Sequence, residues 1–241
     1  PGDEVFGIAK GSLATLTAAR EDKLALKPAA LSFAQAAATG ISGLTALQGL
    51  LDVGRLQAGQ RVLITGASGG VGTFAVQIAV ATGATVTGVS SGAKADLVAS
   101  LGAHRVVDHT TEDVAATDER YDLIFDTAGT IPLRRLRRLL TPKGTLVIVG
   151  KAVGGRWFGL DRQLRALTWS PFVSQRLTTF ISRERAVDLE RLAALVADGK
   201  LVASVERTYA LDDAADAMRH LDAGRARGKL VVVTATDSAA T

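Results

Sequence analysis

Seven residues, Gly66-Ala67-Ser68-Gly69-Gly70-Val71-Gly72, carry the sharpest chemical signal in this 241-residue chain. A pyrophosphate needs backbone amides and a helix N-terminus brought close to it, and residues without bulky side chains permit that approach. The spacing Ala67-x-Gly69-x-x-Gly72 supplies it, with Ala67 in place of the usual first glycine and with Gly66 and Gly70 adding freedom. A strand pattern, Arg61–Thr65, precedes the turn, an apolar helical pattern begins near Val71, and a second strand ends about 20 residues later. That context marks a dinucleotide-binding turn. The same residues also spell Gly66-x-Ser68-x-Gly70, the strand-to-helix elbow that exposes a serine nucleophile. An acid and then a histidine must follow in that chemistry, and Asp126 and His220 stand in the right order. His220, however, falls inside an amphipathic helical pattern, and Gly72 has no part in an elbow. The dinucleotide reading is favoured.

The end of the second strand bears on which dinucleotide. NAD sites place Asp or Glu there to accept from the ribose hydroxyls and repel a 2′-phosphate. Here the strand ends Gly88-Val89-Ser90-Ser91-Gly92, and the chain offers no carboxylate before Asp96. Ser90 and Ser91 have hydroxyls to donate to a phosphate and Lys94 adds positive charge, so NADPH is the expected cofactor.

Composition narrows the remaining chemistry. The chain has no cysteine, which removes disulfides, thiolate nucleophiles and cysteine-bound zinc, and His104, His109 and His220 lack metal-ligand spacing. Net charge is +4, but the basic residues are scattered and aromatics make up only 5% of the chain, which argues against nucleic acid. The densest basic group, Arg134, Arg135, Arg137 and Arg138, alternates with Leu133, Leu136, Leu139 and Leu140 as a solvated helix face above an apolar stripe. No uninterrupted apolar run reaches membrane-spanning length and no signal-peptide pattern opens the chain, so a cytoplasmic enzyme is expected.

The elements that position the turn follow from hydrophobic period. Gly2-Asp3-Glu4-Val5-Phe6-Gly7 reads as a short strand, and its abrupt start suggests further chain upstream. Ser32-Phe33-Ala34-Gln35 is a capping box for a helix to about Thr39, with a second helix over about 42–53. Strands at Arg61–Thr65, Thr85–Val89, Arg105–Val107, Tyr121–Asp126 and Thr145–Val149 alternate with helices after the turn, around Ala95–Leu101 and over Pro132–Leu140. Such alternation specifies a doubly wound parallel sheet, an α/β fold, over residues 40–182. Trp157–Arg176 is irregular, and Trp157, Phe158, Trp169 and Phe172 make a candidate apolar wall for a flat substrate, or simple packing. Ser182 is the expected cap of a helix to about Asp198, followed by strand Val202–Tyr209, helix Asp212–Asp222 and strand Lys229–Thr234. This tail has no crossover partner of its own in that reading, and it is expected to join the opening strand at Val5 in a second domain built from residues 1–39 and 183–241.

These motifs, with Ala38-Thr39-Gly40-Ile41-Ser42-Gly43-Leu44-Thr45-Ala46, Tyr121-Asp122-Leu123-Ile124-Phe125-Asp126 and Gly228-Lys229-Leu230-Val231-Val232, resemble the zinc-independent, quinone-oxidoreductase-like branch of the medium-chain dehydrogenase/reductase superfamily over nearly the whole chain. The resemblance implies a Rossmann domain inserted into a GroES-like catalytic domain, part of which lies upstream, and NADPH-dependent reduction of quinones or of alkenes conjugated to a carbonyl. It places Thr45 at the nicotinamide end as the one candidate near the chemistry. It also places Ser68, Gly69, Gly70 and Val71 at the pyrophosphate and Ser90 and Lys94 at the 2′-phosphate. Ala128, Val149 and Gly150 would line the ribose and nicotinamide, and Lys229 would lie near the phosphates. His109 stands where many relatives carry a tyrosine beside the adenosine phosphate. Relatives are usually dimers paired through an edge strand. The alternatives are a zinc-free alcohol or aldehyde oxidoreductase of the same superfamily and a cofactor-binding protein without turnover.

Overall fold

The computed structural model describes residues 2–149 and 174–234. Gly150 and the aromatic stretch with Trp157, Phe158, Trp169 and Phe172 lie outside the described residues. The chain forms two compact units, Thr45–Ser182 and a second made of Pro1–Leu44 with Arg183–Thr241.

The first unit is built on a six-stranded parallel sheet from β3 (Arg61–Thr65), β4 (Thr85–Ser90), β5 (Arg105–Asp108), β6 (Tyr121–Asp126), β7 (Leu140–Val149) and β8 (Arg176–Phe180). Their order across the sheet is β5-β4-β3-β6-β7-β8. Counted from β3, this is the 3-2-1-4-5-6 order of dinucleotide-binding sheets, with the direction of winding reversed between β3 and β6. The central strands are apolar on both faces because both are covered: Val62, Leu63, Ile64, Ile124 and Phe125 are fully buried. Helices α2 (Gly72–Ala81), α3 (Ala95–Ser100) and α4 (Leu133–Arg138) provide crossovers. Leu133, Leu136 and Leu139 join the core while Arg134 and Arg138 are exposed, as the alternation along that helix requires. β8 was not evident from sequence, since its Arg176-Leu177-Thr178-Thr179-Phe180 follows an irregular stretch; it pairs in parallel with β7.

At the amino ends of these strands, polar groups close the sheet. The Tyr121 side chain is fully buried and its hydroxyl donates to Glu119 Oε2 at 2.6 Å, while Glu119 also pairs with Arg61 and Arg105. Burial, reinforced by the Glu119 bond, pushes the Tyr121 phenol up to about 12 from 10.0. The folded protein therefore keeps a proton that the unfolded chain sheds above pH ~10, and a stabilisation of about 2–3 kcal/mol is complete below that pH and lost as pH rises toward 12. Tyr121→Phe is expected to flatten this alkaline loss, read as urea midpoints at pH 8 and pH 11; parallel falls in both proteins would refute the assignment.

Ser32 and Gln35 form the expected capping box: the Gln35 amide donates to Ser32 Oγ at 3.2 Å and the Ser32 amide to Gln35 Oε1 at 3.0 Å. The helix they start does not end at Thr39. Helix α1 (Phe33–Leu47) runs on through Gly40 and Gly43 and loosens into a π-helical segment, Gln48–Val53, instead of two separate helices. Packing overrides the low propensity of glycine, because a Cβ on Gly43 would stand 2.9 Å from Leu192 Cδ1.

In the second unit, β1 (Val5–Gly7) pairs antiparallel with β2 (Leu24–Leu26), a strand too short to announce itself in sequence. The tail has its own crossover after all: β9 (Val205–Ala210) and β10 (Lys229–Val233) pair in parallel through α6 (Ala214–Asp222), and neither pairs with β1. Helix α5 (Ala186–Ala197) starts after Arg185, not at Ser182. Buried Asp188 in its first turn is held by Arg185 and Arg191, an acid at the positive end of the helix.

Candidate functional site

Beyond Thr65 the chain reverses through Gly66, whose φ of 66° favours glycine. The buried Ala67 amide donates to the Val89 carbonyl at 2.9 Å, which pins the turn to β4, and the Gly69 amide donates to the Gly66 carbonyl at 3.0 Å. A Cβ on Gly72 would lie 2.1 Å from the Gly66 carbonyl oxygen and 2.7 Å from Ala67 Cα. Only glycine permits α2 to begin so close to β3. Gly69, Gly70 and Val71 are partly exposed at the N-terminus of α2, where the helix dipole and convergent amides favour a phosphate. This turn, in which a Cβ on Gly72 has no room, fits a dinucleotide pyrophosphate.

The serine-elbow reading fails on the same geometry. Ser68 is buried, whereas an elbow nucleophile is exposed. Asp126 accepts from Thr65, and His220 is hydrogen-bonded through Nδ1 to the Tyr209 hydroxyl at 2.7 Å in the other unit.

At the reversal of winding, β3 and β6 are tied by a polar knot. Thr65 Oγ1 donates to Asp126 Oδ1 at 2.6 Å and accepts from the Ala128 amide at 3.3 Å. Thr127 Oγ1 donates to the Thr65 carbonyl at 2.6 Å, and the Gly129 amide donates to Asp126 Oδ1 at 3.2 Å. These bonds fix the loop carrying Ala128 beside the glycine turn, in the crevice where open α/β sheets take ligands. Val149 ends β7 on the same carboxyl edge.

At the end of β4, Ser90 is buried and its hydroxyl donates to the Ser91 carbonyl at 3.1 Å; Ser91 and Lys94 are partly exposed on the following turn. Exposed His109 is joined to this edge through its amide, which donates to the Ser90 carbonyl at 3.0 Å. The turn is not clear of acid, as its own sequence suggested. Asp108, from the neighbouring strand, stands against Gly92, and hydrogen bonds from the amide and hydroxyl of Thr110 hold its carboxyl below the ordinary range. Sequence spacing along one strand hides such a residue; the parallel register that sets Ser90 opposite Asp108 reveals it.

Thr45 is buried near the end of α1 and its hydroxyl donates to Ser182 Oγ at 3.2 Å, a partner invisible at 137 residues' separation. Lys229 belongs to the other unit, where its ammonium donates to Ser42 Oγ at 3.0 Å and burial pulls its pKa below the ordinary value. The structure thus gathers Ser68, Gly69, Gly70, Val71, Ser90, Lys94, His109, Ala128 and Val149 at the carboxyl ends of one sheet, and sets Lys229 in a separate unit. Among the described residues no group of three His, Cys, Asp or Glu is placed to hold a metal ion, and no helix is long and apolar enough to cross a membrane.

Residues 101–232 match the family model described as zinc-binding dehydrogenase. Over 96% of its length the chain is 30% identical to 2-methylene-furan-3-one reductase of Solanum lycopersicum and 34% identical to the mitochondrial NAD(P)H oxidoreductase RTN4IP1 of Mus musculus. It spans 57% and 64% of those two proteins. The solved quinone oxidoreductase from Coxiella burnetii superposes with a TM-score of 0.83 at 29% identity, covering 96% of this chain and 72% of that one. Sheet order, glycine cradle and these similarities agree: the chain belongs to the quinone-oxidoreductase-like medium-chain dehydrogenases/reductases.

Proposed function

We propose that this protein is an NADPH-dependent reductase that delivers hydride to quinones or to carbon–carbon double bonds conjugated to a carbonyl. The observation that carries the reading is the glycine turn at Gly66–Gly72, where Gly72 leaves no room for a Cβ, at the carboxyl edge of a 3-2-1-4-5-6 sheet. The similarity to a furanone reductase and to an NAD(P)H oxidoreductase supports the same chemistry.

When bound, the nicotinamide supplies the hydride. The chain's own residues bind and orient. The cradle around Gly69, Gly70 and Val71, with Ser68 beneath, takes the pyrophosphate; Ser90, Ser91 and Lys94 take the 2′-phosphate; His109 borders the adenosine side. Ala128 and Val149 shape the passage to the nicotinamide, and Thr45, its hydroxyl oriented by Ser182, faces that end. Positioning donor and acceptor in a site sheltered from water does most of the catalytic work. Protonation of the product comes from solvent or a hydroxyl. The reaction is proposed to need no zinc, as in the zinc-independent branch that the sequence motifs resemble.

The test is NADPH oxidation against a panel of quinones, enones and aldehydes. Turnover with quinones or enones is expected; turnover with aldehydes alone would favour an alcohol/aldehyde oxidoreductase, and NADPH binding without oxidation of any acceptor would leave a cofactor-binding protein. A homodimer paired through an edge strand of the sheet, β5 or β8, is proposed as well, and a single-chain mass by light scattering would reject it. The proposed compartment is the cytoplasm, which cell fractionation checks; recovery in an organelle would reject it.

A further inference from the structure

The turn after β4 is stitched to the neighbouring strand at two points. One is backbone: the His109 amide donates to the Ser90 carbonyl. The other is a side chain. Asp108 Oδ1 accepts from the Thr110 amide at 2.9 Å and from Thr110 Oγ1 at 2.7 Å, while its Oδ2 lies against Gly92. A Cβ on residue 92 would stand 2.3 Å from Asp108 Oδ2, so the carboxylate occupies the space any side chain there would need. The turn itself is short, with the Lys94 amide donating to the Ser91 carbonyl at 2.9 Å. Fixing Gly92 between Ser91 and Lys94 therefore fixes both flanking residues.

A carboxylate that selected NAD(H) would turn its oxygens to the ribose hydroxyls. In Asp108, Oδ1 is engaged by Thr110 and Oδ2 lies against Gly92 instead, which turns the carboxylate to the protein's own backbone. We infer that Asp108 is a positioning residue for cofactor choice: by clamping Gly92 it holds the Ser91–Lys94 turn in the shape that receives a 2′-phosphate. The inference rests on the NADPH reading above and adds to it a residue from outside the turn, with an acceptor role where the usual strand-end acid has a discriminating one.

Dissociation constants for NADPH and NADH, measured calorimetrically for the wild type, D108A, G92A and the double variant, test it. Both single variants break one contact from opposite sides, and G92A does so without removing the charge. Each is expected to weaken NADPH about tenfold while NADH changes less than about twofold, with the double variant no worse than either single one. D108N, which retains one acceptor oxygen, should recover part of the NADPH affinity. Wild-type preference for NADPH that survives D108A overturns the clamp alone, as does tighter NADPH binding on removal of the like charge. Equal loss of both cofactors with a large fall in melting temperature assigns Asp108 a merely structural role. Equal wild-type affinity for the two cofactors overturns the NADPH reading and the clamp together.

Discussion

Gly72→Ala is expected to lower cofactor affinity about a hundredfold and to destabilise the protein by about 3 kcal/mol. The added carbon would sit 2.1 Å from the Gly66 carbonyl oxygen and 2.7 Å from Ala67 Cα, both backbone atoms that no rotamer change can move. Relief requires α2 to withdraw from β3 by more than about 1 Å, and overpacking of this kind costs up to a few kcal/mol. The amides at Gly70 and Val71 would move with the helix. Each charge-assisted bond to a phosphate is worth about 1.5–3 kcal/mol, so misaligning one or two accounts for the affinity loss. Calorimetric titration with NADPH and a urea melt read the two effects separately. Wild-type affinity in a folded Gly72→Ala protein would remove the cradle from the account.

Thr65→Val has the second largest expected effect. Valine matches threonine in shape but carries no hydroxyl, so the Asp126 carboxylate loses its 2.6 Å donor and the Ala128 amide loses its acceptor. Thr65 and Asp126 are each 1% exposed, and water does not readily replace the lost bond. A buried polar group left without its partner costs about 1–3 kcal/mol, and a stability loss of about 3 kcal/mol corresponds to roughly 6–12 °C in Tm for a protein of this size. Because the knot fixes the Ala128 loop, NADPH affinity should fall several-fold as well. Thr65→Ser restores the hydroxyl and should recover most of both. A Thr65→Val protein melting within about 2 °C of wild type would show that the knot contributes little.

Much of the sheet was legible because its residues allow few alternatives. Val62-Leu63-Ile64 and Leu123-Ile124-Phe125 are uninterrupted apolar runs that only a strand covered on both faces explains, and both occupy the centre of the sheet. The glycine turn was legible for a related reason, since Gly72 has a use only where a helix starts against a strand. What escaped depended on partners distant in sequence. Gly40 and Gly43 read as a break in α1 until Leu192 is seen packed against Gly43. The three residues of β2 carry too little pattern to mark a strand, and the parallel pairing of β9 with β10 follows from α6 returning over them, which the sequence left without a partner. At the site, Asp108 and Ser182 act across strands and loops, so the spacing around Ser90 and Thr45 pointed to those residues but not to what holds them.

The Gly66–Gly72 cradle is proposed to receive the pyrophosphate of NADPH. Amide hydrogen exchange on the wild-type protein, with and without saturating NADPH, tests it at the atoms concerned. Protection is expected first and most strongly over Ser68–Thr73, with a second protected stretch at Ser90–Lys94. Bound NADPH that protects other segments and leaves Ser68–Thr73 exchanging at its free rate would contradict it.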